Sequence, residues 1–85
     1  MSSVPTVLTI RNVRVVIYAN DHPPAHVHVF GDGQAKINLL GAAGAPDLVW
    51  TDGMTRSESR RAMRIVVERR AMLLARWKDI HGRAD

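Results

Sequence analysis

The sequence predicts an α+β domain, with a small antiparallel sheet of three to five strands packed against one long C-terminal amphipathic helix. Three features carry that expectation. Residues 7–50 fall into short β-branched or alternating runs separated by Pro and Gly. Residues 56–80 repeat apolar side chains at helical spacing. Each part leaves one apolar face to bury, and a helix laid on a sheet buries both. With 85 residues, no internal repeat and no linker, a single domain spans 1–85.

The elements follow in order. Val7 to Ile10, after Pro5, is the first strand, and Asn12 turns the chain into a second over Val13 to Tyr18. Its run of Val13, Val15, Val16 and Ile17 suits a buried strand. Asp21-His22-Pro23-Pro24 stops it, because proline offers no N–H to a ladder and restricts the residue before it. His26 to Phe30 is a third strand, with His26, His28 and Phe30 on one face and Val27 and Val29 on the other. Gly31-Asp32-Gly33 is a hairpin turn whose residues tolerate positive φ, and Ala35 to Leu40 returns as a fourth strand. Gly41 to Pro46 is a loop of small residues. Leu48-Val49-Trp50 is a further short strand or a clasp on the sheet, and Thr51-Asp52-Gly53 turns into the helix. Thr55 with Glu58 three residues later forms a capping box, and Gly82 is the C-terminal stop. Between them Ala62, Val66, Leu73, Trp77 and Ile80 share one sector, with Arg56, Arg60, Arg64 and Lys78 on the far side.

Composition removes several function classes. There is no cysteine, which excludes disulfides, thiolate metal sites and thiol nucleophiles. No apolar run approaches the roughly 20 residues of a membrane-spanning helix, and the N-terminus lacks a signal-peptide pattern. The expected location is the cytoplasm. A core this small supplies on the order of 3–5 kcal/mol of net stability, which favours a partner chain or a homodimer. The net charge of +4 is unevenly placed. Residues 1–54 hold three bases against four acids, and residues 55–85 hold nine against four. A basic C-terminal third points to an anionic partner, nucleic acid or an acidic protein surface.

The chemistry concentrates at Asp21-His22-Pro23-Pro24-Ala25-His26-Val27-His28. On a strand, His26 and His28 project from one face with Cα atoms about 6.5–7 Å apart, within reach of one small target. The diproline stiffens the loop that carries Asp21 and His22. Three readings stay open. Asp21, His22, His26 and His28 can form a metal-free acid–base centre of the kind that cleaves RNA, with no cofactor. His26 and His28 with His22 or Asp21 can hold a divalent transition metal such as zinc. Or the histidines are strand and interface residues of a non-catalytic binding module. Arg56, Arg60 and Arg61 lie in the first two turns of the helix, where positive charge opposes its dipole. With Arg64 they form a candidate phosphate or nucleic-acid site. Trp50 is a candidate for stacking on bases, while Trp77 falls in the apolar sector.

The stretch Tyr18-Ala-Asn-Asp-His-Pro-Pro-Ala-His-Val-His-Val29 resembles the signature of a small bacterial family, domain of unknown function 4160. Pro5-Thr6-Val7, Ala35-Lys36-Ile37 and the helix bearing Arg60-Arg61, Val66-Val67, Leu73-Leu74 and Trp77 extend the likeness. The resemblance implies a compact α+β domain paired with a protein similar to domain of unknown function 2442. In such a toxin–antitoxin-like pair this chain is the candidate toxin. By position, Asp21, His22, His26 and His28 are its implied active site.

Overall fold

The computed structural model describes residues 6–82; Pro5, expected ahead of the first strand, lies outside them. Five strands follow in chain order as an antiparallel meander: β1 (Thr6–Ile10), β2 (Val13–Val16), β3 (His26–Phe30), β4 (Gln34–Asn38) and β5 (Asp47–Asp52). Helices α1 (Arg56–Glu68) and α2 (Arg70–His81) complete the chain. The fold is therefore α+β; β2 ends at Val16 and β4 at Asn38, short of the expected Tyr18 and Leu40. Leu48-Val49-Trp50 is the middle of a true edge strand, exposed along its length.

Register decides which side chains share a face. Val15, Val29 and Ala35 pair across β2, β3 and β4, as do Val27 and Ile37 across β3 and β4. These residues join Ala62, Ile65, Val66, Leu73 and Trp77 in one buried cluster, so the helices cover that face. The alternate residues form rungs on the opposite face, two of which span four strands. One runs through Arg14, Phe30, Gln34 and Asp52, the other through Val16, His28, Lys36 and Trp50. The molecule is two-layered; His28 lies on the face away from the core cluster, whereas His26, 4% exposed, packs against Trp77 of α2.

The turns show which glycines matter. Gly31 N–H donates to the Gly33 carbonyl at 2.8 Å, closing the β3–β4 hairpin. Neither glycine uses the positive φ expected of this turn; the left-handed position in the sheet is Arg11, at φ 55, in the β1–β2 turn. Gly33 instead permits close approach, because a Cβ there would overlap the backbone of Asp52 and Gly53. The chain then leaves β5 through Gly53, at φ 71.

The capping box forms as the residue spacing dictates. Glu58 N–H donates to Thr55 Oγ1 at 3.1 Å, and Thr55 N–H donates to Glu58 Oε1 at 2.9 Å. Accepting the Thr55 N–H, with the Thr55 hydroxyl adding to it, holds the Glu58 carboxyl below the usual carboxylate range. Gly82 ends α2 in the left-handed conformation, φ 84.

The single long helix expected over 56–80 is divided. At Arg69 the backbone leaves helical geometry (φ −114, ψ 18), although Arg69 N–H still reaches the Ile65 carbonyl at 3.1 Å and Leu73 N–H the Arg69 carbonyl at 2.9 Å. The helix bends there without a gap in its hydrogen bonding. Glu68-Arg69-Arg70 contains no Gly or Pro, so no residue type announces the bend. A tertiary contact accompanies it: Arg70 Nη1 donates to the Gly44 carbonyl in the β4–β5 loop. Leu73 and Trp77 remain fully buried beyond it.

Candidate functional site

The site begins at the end of β2. Asp21 N–H donates to the Tyr18 carbonyl at 3.1 Å, and Tyr18 N–H donates to Asp21 Oδ2 at 3.1 Å. This reciprocal pair is a local turn that side-chain carboxylates favour. It aims the Asp21 carboxylate at the first residues of β3. The diproline follows, with the Pro23–Pro24 bond cis, and its last carbonyl accepts a hydrogen bond from His26 Nδ1 at 2.9 Å. That bond fixes the proton on Nδ1 and directs Nε2 toward Asp21.

Two imidazoles and one carboxylate therefore converge. Asp21 Oδ2 lies 3.4 Å from His26 Nε2 and 3.8 Å from His28 Nε2. All three ligand atoms fall within 4.8 Å of one another. The His26 and His28 rings meet edge-on, centroids 5.2 Å apart, and His26 also lies 5.2 Å from the Trp77 indole. His26 is 4% exposed, whereas Asp21 and His28 keep one side open to solvent. Burial is the main cause that pushes the His28 pKa down; the neighbouring His26 and Lys36 add to it, and Asp21 opposes them.

The surroundings are aromatic and cationic. Tyr18 flanks His28 at 5.2 Å between ring centroids, and Trp50 lies 6.3 Å away on the other side. Lys36 stands directly across from His28 on β4 and Trp50 beyond it on β5. One rung away the Arg14 guanidinium sits 5.3 Å over the Phe30 ring.

The other expected residues lie elsewhere. His22 is exposed in the loop and is not one of the three converging groups. Arg56, Arg60 and Arg64 are exposed on α1, whose buried residues Ala62, Ile65 and Val66 pack on the covered face of the sheet. Arg61 lines a crevice with Asp32, Glu58 and Gly31, at the far end of β3 from His26. That end is four residues away, about 13 Å at about 3.3 Å per residue. The Arg61 crevice and His26 thus stand at opposite ends of β3.

Sequence reasoning left Lys36 and Tyr18 out of the site. Counting outward from the Gly31–Gly33 turn pairs His28 with Lys36, so that signal was present. Trp50 was less accessible, because the β4–β5 register shifts between Lys36 and Ile37.

The family described as "Domain of unknown function (DUF4160)" matches residues 12–78, which include the Asp-His-Pro-Pro loop, the open rungs and both helices up to Lys78. The chain belongs to the DUF4160 family. Its match starts in the β1–β2 turn, so the DUF4160 unit takes in four of the five strands and every member of the candidate site. No curated protein and no solved structure matches this DUF4160 chain significantly. Among its described residues no helix is long and apolar enough to cross a membrane.

Proposed function

We propose that this DUF4160 chain is a toxin-like effector that acts on RNA, or on another nucleotide-containing target, at the open face of its sheet. The observation that carries the reading is the rung that joins the Asp21–His26–His28 group to Lys36 and Trp50. A phosphodiester set against His28 has the Lys36 ammonium beside it to offset its charge. Trp50, 39% exposed, and Tyr18 offer ring faces and edges to the flanking bases. In RNA cleavage the 2′-hydroxyl loses its proton and bonds to phosphorus. The bond from phosphorus to the 5′ oxygen then breaks, and that oxygen takes up a proton. The Asp21–His26–His28 group is placed to manage both proton movements.

The arginines of α1 belong to a different task in this reading. Exposed on α1, they suit an acidic protein surface, such as an antitoxin-like partner of the domain of unknown function 2442 kind. Such an effector would work in the cytoplasm, where its RNA and its partner meet.

Induced expression in a bacterial host, with cleavage of a defined RNA in vitro, tests the proposal. Wild type is expected to arrest growth, and folded His28→Ala to relieve the arrest and cut cleavage by about 10²-fold or more. Arg60→Ala/Arg64→Ala should retain both effects. If the arginine variant loses activity while His28→Ala keeps it, the chain is a binding module that works through its helix.

A further inference from the structure

We propose that Asp21, His26 and His28 form a binding site for one divalent transition metal ion, with coordination positions left open toward the uncovered face of the sheet. The inference rests on the reading of this group as the reaction centre and changes one part of it: the two imidazoles hold an ion, and the proton movements pass to water on that ion.

The donor set is the first argument. Two imidazole nitrogens and one carboxylate oxygen are ligands that zinc and iron(II) accept, and three protein ligands leave room for water or substrate. His-x-His on a strand supplies two of them from one face. The third comes from a turn that its own hydrogen bonds hold in place.

The distances are the second. A carboxylate paired directly with an imidazolium closes to about 2.7–2.9 Å. The observed separations are 3.4 and 3.8 Å, too long for that and too short for groups that ignore one another. Ligand atoms on a tetrahedral ion with bonds of about 2.0–2.1 Å stand about 3.3–3.4 Å apart. The Asp21–His26 separation matches that edge, and the other two pairs close onto it with small side-chain shifts.

The outer partners are the third. Ligating histidines donate their second ring N–H to a carbonyl or carboxylate, and ligating carboxylates are themselves hydrogen-bonded. His26 Nδ1–H meets the Pro24 carbonyl, and Asp21 Oδ2 receives the Tyr18 N–H. With Nδ1 donating to the Pro24 carbonyl, Nε2 is the His26 nitrogen that faces Asp21 Oδ2. An ion at this point supplies Lewis acidity beside the position where Lys36 and the aromatic rings would hold a phosphate.

The test uses the full chain, without an affinity tag, stripped by chelator and titrated with Zn²⁺ by calorimetry and with Co²⁺ by visible absorption. The expected result is one ion per chain and a midpoint of thermal unfolding raised by about 10 °C at a hundredfold excess over Kd. Asp21→Asn and His28→Gln should each weaken binding by about 10²-fold or more, while His22→Gln leaves it unchanged. Asp21→Asn keeps the size of the side chain, and circular dichroism checks that each variant is folded. No uptake at micromolar metal overturns the site, as does uptake that survives both ligand substitutions or depends on His22. The two proposals separate cleanly. Binding of one zinc without RNA cleavage leaves the site standing and removes the reaction. Cleavage by chelator-stripped protein that takes up no zinc does the reverse.

Discussion

Trp77→Ala is expected to leave most of the chain unfolded at room temperature. Removing a fully buried tryptophan costs about 3–5 kcal/mol, the sum of lost apolar transfer and the cavity left behind. That equals the whole net stability of about 3–5 kcal/mol that a core of this size provides. The indole is 0% exposed and belongs to the cluster of Val66, Leu73, Val27 and Ile37. His81 stacks on it with centroids 3.8 Å apart, and His26 packs 5.2 Å away. Trp77 therefore supports both the helix end and the most buried side chain of the candidate site. Trp77→Phe keeps much of that volume and should fold with a smaller loss. Urea unfolding followed by circular dichroism measures both. A cooperative transition with less than about 1 kcal/mol lost in Trp77→Ala would show that the indole does not anchor the core.

Gly33→Ala is expected to destabilise the protein by about 3 kcal/mol, the upper end of the overpacking range, whereas Gly31→Ala should be neutral or slightly stabilising. The two glycines close the same turn, yet their surroundings differ. A methyl group on Gly33 would overlap the carbonyl carbon of Gly53 and the carbonyl oxygen of Asp52, which are backbone atoms with no rotamer to yield. A methyl group on Gly31 meets nothing within 4 Å, and its φ lies outside the left-handed region. Alanine there mainly removes freedom from the unfolded chain. Thermal unfolding of the two variants side by side checks the contrast. Equal losses would mean that the glycines act through turn flexibility and not through the packing of β5 on the hairpin.

Local rules explain why much of the molecule could be read in advance. The capping box at Thr55 and Glu58 depends on three-residue spacing alone, and Gly82 on a single dihedral. His26 and His28 share a face because strand geometry repeats every two residues. Asp21 was legible as a neighbour of the histidines, but its aim toward them comes from the turn it makes with Tyr18, a contact the spacing only hints at. What escaped was set by tertiary contact. The bend at Arg69 has no breaker residue and coincides with a hydrogen bond to a loop carbonyl 26 positions away. The arginines of α1 were grouped with the histidines by chemistry, whereas Arg61 lies at the opposite end of β3 from His26. A charge pattern does not tell which side of a two-layer fold it will occupy. Trp50 reached the histidine rung only through a shift in the β4–β5 register.

The central claim is that the open sheet face around Asp21, His26 and His28 is the working surface of this chain. Backbone amide NMR with a short single-stranded RNA titrated into the full chain tests it most directly. The account predicts that the largest shift changes fall on Tyr18, His28, Lys36 and Trp50, and that they weaken in Lys36→Ala. Changes concentrated instead on Arg56, Arg60 and Arg64, with the histidine rung silent, would contradict it and assign RNA binding to the helix.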